Sequence, residues 1–197
     1  MLRIGCVVMA AGNARRFGEN KLAAQLNGRS LIRRALEAVP AEAFCTVAVV
    51  TQYPEVEAMA REFGFLPVPN HHPDWGISHT IRLGLEALGT VDAAMFQVSD
   101  QPLLRRETVA AEVAEFRRDP AGILGLSHGG VRGNPCIFPA RFFPELLALR
   151  EDRGGSWVIR QHPEALRLFE APAAELEDVD TPAALAGMAL PSSGQEA

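Results

Sequence analysis

Apolar runs of strand length alternate with stretches of helical period along almost the whole chain. Residues 4–9 (IGCVVM), 45–51 (CTVAVVT) and 92–99 (DAAMFQVS) are largely apolar segments of strand length, the second of them rich in β-branched residues. That pattern belongs to strands buried on both faces. Shorter strands are predicted at 65–69, 121–126, 136–138, 167–169 and 176–179. Between them, apolar positions recur with helical spacing over 28–39, 54–63, 78–88, 105–117, 141–149, 156–161 and 181–188. Ser30 is placed to cap the first of these helices and Pro54 to open the second. Segments 70–76 (NHHPDWG) and 129–135 (GGVRGNP) read as loops, and 191–197 as a polar, frayed tail. Strands alternating with helices at this spacing predict an α/β fold: a mostly parallel, doubly wound sheet with helices on both faces, as one domain over residues 1–190.

Composition narrows the possibilities. A net charge of -5 argues against non-specific nucleic-acid binding, which relies on clustered cations. No apolar run approaches the ~18 residues of a membrane span, so neither nucleic acid nor membrane is expected as a partner. Cys6, Cys45 and Cys136 are odd in number, far apart and set among apolar residues. They read as buried thiols in a reducing compartment, not as a disulfide frame or a zinc site. With no signal peptide ahead of the first strand, the cytoplasm is the expected location.

In a doubly wound sheet, ligands bind outside the carboxyl ends of the strands. Two polar segments fall there. The first run breaks into Ala10-Ala11-Gly12, small residues that let backbone N–H groups approach an anion, followed by Arg15, Arg16 and Lys21. Neither GxxxxGK[ST] nor GxGxxG is present. Asp100 follows the strand at 92–99, where it reads either as a ligand for Mg²⁺ or as the cap of the next helix. Asp178 and Asp180 repeat the arrangement before Thr181-Pro182, with a helix cap as the alternative for Asp180. Arg16 and Lys21 read as phosphate-neutralising cations or as solvated surface. Gly76, Ser78 and Thr80, with His79 and Arg82, open a helix whose start offers either N–H groups and hydroxyls to a nucleotide or a simple serine cap. His71, His72 and His79 have poor spacing for zinc and read as exposed, and Trp75 and Trp157 read as packing residues. No G-x-S-x-G elbow supports hydrolase chemistry.

Taken together, these segments resemble the MobA-like nucleotidyltransferases, most closely the molybdenum cofactor cytidylyltransferase group. Met9 to Gly12 with Arg16, Phe17, Gly18 and Lys21 is similar to LAAGxSxRFGxxK. Gly76 to Gly84 resembles GMSSSLRxG, and Ser99-Asp100-Gln101-Pro102 resembles GDQP. Arg132-Gly133-Asn134-Pro135 with Phe138 is similar to RxGNPxxF, Asp152 to Gly155 resembles GDRGA, and Asp178 to Pro182 resembles DIDTPED. The resemblance implies a Rossmann-like nucleotidyltransferase fold and attack of an acceptor's terminal phosphate on the α-phosphate of an NTP, with release of pyrophosphate. It further implies Mg²⁺ held by Asp100 and Asp180, and Arg16, Lys21 and Asp100 as the catalytic set. Ala10, Ala11, Gly12, Gly76, Ser78 and Thr80 would hold the nucleotide with Arg16 and Lys21, and Gly133, Asn134 and Pro135 the acceptor. Ala-Ala-Gly accompanies cytidine donors in this resemblance, so CTP and a molybdopterin acceptor are implied, with a molybdoenzyme as recipient. GTP, another phosphorylated acceptor, or a non-catalytic cofactor carrier are the alternatives. The chain departs from the patterns at Ala14, His79, Ser99, Glu151, Ala183 and Ala184.

Overall fold

The computed structural model describes residues 2–12 and 20–188. Arg16 and its neighbours, and the tail at 191–197, lie outside the described residues. Among those described, the strands are β1 (Ile4–Ala10), β2 (Gln25–Leu26), β3 (Arg29–Ser30), β4 (Thr46–Thr51), β5 (Leu66–Pro69), β6 (Ala93–Val98), β7 (Ile123–His128), β8 (Val131–Pro139) and β9 (Leu166–Glu170). The α-helices are α1 (Leu31–Glu37), α2 (Pro54–Glu62), α3 (Ile77–Leu88), α4 (Arg106–Arg118), α5 (Phe143–Ala148), α6 (Gly155–Gln161) and α7 (Pro182–Gly187). Seven strands form one sheet in the order β5-β4-β1-β6-β8-β7-β9. All run parallel except β8, which is antiparallel to both β6 and β7.

The strand alternation sorts the core into two layers. Ile4, Cys6, Val8, Val47, Val49 and Met95 pack toward α1, α2 and α4, while Val7, Ala48, Val50, Ala94 and Phe96 pack toward α3, α5 and α6. Successive side chains of a strand point to opposite faces, so a strand buried on both reads as an uninterrupted apolar run. Two glycines bring α3 close against β1. A Cβ on Gly84 would stand 2.4 Å from Val7, and one on Gly5 would stand 2.6 Å from Leu88.

Several boundaries differ from expectation. The segment 28–39 opens with a two-residue ribbon, β2 against β3, turned by Asn27 (φ 52°) and Gly28 (φ 75°). Helix α1 starts only after it, and Ser30 caps it by accepting a hydrogen bond from the Arg33 N–H. The loop expected at 129–135 is a tight turn at Gly129-Gly130, and β8 already begins at Val131. Its polar first half pairs with β7 across a register shift between Gly125 and Ser127, so it lies beyond the two core layers and carries none of their apolar pattern. The strand expected at 176–179 is absent. Residues 173–176 form a 3-10 turn instead, because this segment is tied down by side chains and single backbone bonds and not by a ladder. Cys6 and Cys136 are buried as expected, but Cys45 is exposed: it precedes β4 at the sheet's rim.

From β1 the chain moves outward to β4 and β5, then returns through α3 to β6 on the other side of β1. A crevice therefore opens at the carboxyl ends of β1, β4 and β6, the switch point of a doubly wound sheet.

Candidate active site

The turn after β1 is held at four successive carbonyls. Met9 O accepts from Ser99 Oγ at 2.9 Å, Ala10 O from Thr51 Oγ1 at 3.0 Å, Ala11 O from Gln52 Nε2 at 2.9 Å and Gly12 O from Tyr53 OH at 3.2 Å. Each donor comes from the end of a neighbouring strand. Because the peptide unit is planar and trans, fixing the carbonyls of Ala10 and Ala11 also fixes the N–H groups of Ala11 and Gly12, which point the opposite way. Thr51 and Ser99 are buried, and each anchors this turn. Ser99, which stands where the family pattern has glycine, thus contributes a tether that glycine lacks.

Lys21 begins a short 3-10 turn capped by Asn20, whose side chain accepts from the Leu22 N–H. Its Nζ lies 3.0 Å from Asp100 Oδ2 and 3.4 Å from Asp180 Oδ1, with the lysine side chain only 13% exposed. Asp100 leaves β6 directly. The Asp180 segment is strapped to it: the Val179 N–H donates to Asp100 O at 2.8 Å, and Gln101 Nε2 donates to Leu176 O at 3.2 Å. Glu175, almost fully buried, accepts from the Arg105 N–H at 3.0 Å. It supplies the N-terminal partner that α4 lacks from its own cap residue. The capping alternatives for the two acids therefore fall away. Asp100 caps no helix, and α7 is capped by Thr181, which accepts from the Ala184 N–H at 3.1 Å. Asp178 stays outside the lysine contact. Its carboxyl is held above the usual range by partial burial and then by the Asp100 charge.

A cavity of about 280 Å³ adjoins this cluster, lined by Ala11, Gly12, Lys21, Thr80, Ser99 and Asp100 among others. A second, of about 310 Å³, shares Ala11, Gly12 and Thr80 and reaches Asp74, Gly76 and Asp152. Thr80 is oriented by Asn70, whose Nδ2 donates to it at 3.3 Å. Gly76 has φ 83°, and a Cβ there would meet the Glu151 carbonyl carbon at 2.3 Å. That contact seats the start of α3 on the 151–152 turn, and the Ser78 N–H donates to Glu151 O at 3.1 Å. Glu151, at φ 55°, occupies a left-handed conformation where the family pattern has glycine.

Lys21, Asp100, Asp180, Ala11, Gly12, Gly76 and Thr80 therefore come together around these two cavities. Ala10 lies just behind, fully buried in the strand. Ser78 does not join them: it is buried, is not the cap of α3, and its N–H is engaged by Glu151. Asn134 lines a third, smaller cavity next to the first, while Pro135 is buried and Gly133 packs against Leu176. His71 and His72 are exposed as expected, but His79 sits within α3, where burial lowers its pKa. The tryptophans are not core residues. Trp75 is 53% exposed and stacks on His72 with ring centroids 4.2 Å apart, and Trp157 is 36% exposed beneath the Arg153 guanidinium. Trp75 stands in the short 3-10 turn before α3, and Trp157 lies on the outer side of α6, whose Val158 and Ile159 face the core. Glu175, Thr51 and Tyr53 had no motif to mark them, and Asn70 stood out only as the first residue of the 70–76 loop.

Comparison with known proteins identifies a family and a shared fold. Residues 6–166 match the MobA-like NTP transferase domain. The purine catabolism protein PucB of Bacillus subtilis is 27% identical over 190 residues, covering 89% of this chain and 91% of that protein. A nucleotidyl transferase from Methanothermobacter shares the fold with a TM-score of 0.80 at 22% identity, covering 95% of this chain and 96% of that one. So does CMP:2-keto-3-deoxy-manno-octonic acid synthetase in complex with CTP, with a TM-score of 0.72 at 17% identity over 94% and 96% of the two chains.

Proposed function

The chain belongs to the MobA-like NTP transferase family, and from that membership we propose that it is a cytidylyltransferase, transferring CMP from CTP to the terminal phosphate of molybdopterin with release of pyrophosphate. Nucleotidyl transfer is the family's chemistry; the donor and acceptor are our reading. The observation that carries it is the Lys21 ammonium between the Asp100 and Asp180 carboxylates, at the mouth of a cavity floored by the Ala11-Gly12 turn.

That ammonium also tests the fit of a metal. Two hard carboxylates already hold a cation between them, and Mg²⁺ asks for one or two such ligands plus phosphate oxygens. Asp100 and Asp180 are the residues that would hold it. When bound, the ion would neutralise charge on the triphosphate and polarise the α-phosphoryl group. Lys21 supplies a further positive charge beside the phosphates, and Arg16 is expected to add another. The fixed N–H groups of Ala11 and Gly12 would donate to anionic oxygens without reorganising first, which is the form of stabilisation that phosphoryl-type transfer depends on. An acceptor phosphate is already anionic near neutral pH, so no general base is required. Ala11 lines both cavities, where the glycine of the alternative pattern would carry no side chain. That extra volume favours a pyrimidine over a purine. A molybdoenzyme would then receive the finished cofactor.

The test is pyrophosphate release from each of the four NTPs against an acceptor panel with Mg²⁺. CTP with molybdopterin is the expected active pair. Activity with GTP in its place overturns the donor assignment, and activity with a different phosphorylated acceptor overturns the acceptor. Binding of molybdopterin with no pyrophosphate from any NTP would identify a carrier.

A further inference from the structure

Lys21 is the one lysine of the chain; every other strong cation is an arginine. The two side chains are not interchangeable. A guanidinium is a flat fork suited to paired hydrogen bonds, whereas an ammonium is a compact point charge on a flexible stem. Of the two, the ammonium is the closer stand-in for a small metal ion, and it stands between the two carboxylates that would hold one.

The backbone around Lys21 is fixed. Its carbonyl accepts from the Ala24 N–H at 3.1 Å, closing the 3-10 turn. The Asn20 cap accepts from the Leu22 N–H and donates through Nδ2 to Glu55 Oε1 at 2.7 Å. The Asp180 strap is tied in turn to Asp100 through the Val179 N–H. What is free to move is the four-carbon stem of the lysine. Its ammonium bonds Asp100 closely, at 3.0 Å, and Asp180 more loosely, at 3.4 Å, where the aspartate side chain is 67% exposed. Lys21 and Asp100 also line the first cavity, so the stem has space to swing into. Two carboxylates that share one ammonium repel each other, and the ammonium offsets that repulsion. It does so through the oxygens that a metal would need. A divalent ion arriving while the ammonium stays would meet a like charge and two ligands already engaged.

We propose that Lys21 is a latch on the metal site: in the nucleotide-free protein its ammonium fills the place of the ion, and it swings onto the triphosphate when a nucleotide enters the cavity. Metal and nucleotide are thereby admitted together, and not the metal first. The proposal rests on the nucleotidyl-transfer reading above and adds an order of binding to it.

The single lysine makes the test direct. The full chain carrying ε-¹³C-lysine gives one ε-methylene resonance. Mg²⁺ alone should leave that resonance in place, and α,β-methylene-CTP with Mg²⁺, which fills the site without reacting, should shift it. An equal shift with Mg²⁺ alone overturns the proposal. In the absence of nucleotide, Mn²⁺ titration followed by electron paramagnetic resonance should show Lys21→Met binding the ion about ten- to a hundredfold more tightly than the parent, the range expected once a charged hydrogen-bonding group no longer competes. Mn²⁺ at about a hundred times the Kd should then raise the melting temperature of Lys21→Met by about 5–10 °C, a rescue that a merely structural role would not give. Equal affinity in parent and variant overturns the proposal. So does a gain that survives in Lys21→Met combined with Asp100→Asn, which would put the ion elsewhere. If the parent binds the analogue and the resonance stays in place, the latch alone falls; if the parent binds no analogue, the nucleotidyl-transfer reading falls with it.

Discussion

At the scale of single residues, the proposed function rests on a few charges and on Ala11. Asp100 stands at a strand end with no capping role, in contact with Lys21 and lining the cavity of about 280 Å³. Asp100→Asn removes its charge and keeps its shape. It should lower kcat by about a hundredfold or more, as loss of a preorganised electrostatic group typically does, without changing far-UV circular dichroism. A variant with parental turnover would exclude Asp100 from the metal site. Ala11→Gly should allow GTP to compete with CTP, read as the ratio of kcat/KM for the two donors; an unchanged ratio would show that the base is selected elsewhere. Both residues stand out in the sequence, because an acid or a run of small residues after an apolar strand has few other reasons to be there. Ser99, Thr51 and Tyr53 do not. Their work is to hold carbonyls of a distant segment, and nothing about a lone hydroxyl announces which backbone it will meet.

At the scale of elements, the helices with clear end signals were the easiest to read: Ser30 caps α1 and Pro54 opens α2 where each was expected. The Asn27-Gly28 hairpin carried an equally good signal, since both residues adopt the positive φ that such a turn demands, but the apolar spacing of the following helix obscured it. The first half of β8 was illegible for a different reason: pairing beyond the core leaves no alternation behind. The strap over residues 173–180 depends on Glu175, whose reach to the Arg105 N–H spans 70 residues of sequence. Glu175→Ala should cost about 1 kcal/mol in urea unfolding, as loss of a helix cap does, and raise the Mg²⁺ concentration needed for half-maximal activity. If stability falls and the metal requirement does not, the strap has no part in placing Asp180. Gly76→Ala faces both an unfavourable φ and the Glu151 backbone, and should lower the melting temperature together with nucleotide affinity.

At the scale of the whole molecule, the mostly parallel sheet with helices on both faces followed from the alternation of strands and helices, and it fixes where the site must be. One feature of the core contradicts that pattern. Glu112 faces inward from α4 with no exposure, and neither carboxylate oxygen has a hydrogen-bond partner. Burial raises its pKa well above the usual carboxylate range. The unfolded chain releases this proton near pH 4.5 and the folded chain keeps it, so the folded state binds more protons above that pH. Stability is therefore fully present below the unfolded pKa and is lost as pH rises toward the folded one. Glu112→Leu should raise stability near neutral pH by about 1–3 kcal/mol and flatten the decline between pH 5 and pH 8, by up to about 1.4 kcal/mol per pH unit, in denaturant titrations across that range. An unchanged slope would mean that the carboxylate is ionised in the folded protein.

The four tethered carbonyls after β1 bear on how this scaffold can change. A loosely held turn absorbs an altered side chain by shifting, and its selectivity drifts a little with every substitution. Here Ser99, Thr51, Gln52 and Tyr53 hold the peptide planes from two sides, so the turn has little freedom to give way. If the proposed donor assignment holds, a rigid edge is what would let a single carbon at position 11 act as a gauge and separate one class of donor from another. The same rigidity sets a limit. Weakening the tethers, for instance with Tyr53→Phe together with Thr51→Val, should blur discrimination between donors before it reduces turnover, because the gauge would fail while the charges that drive the chemistry remain in place.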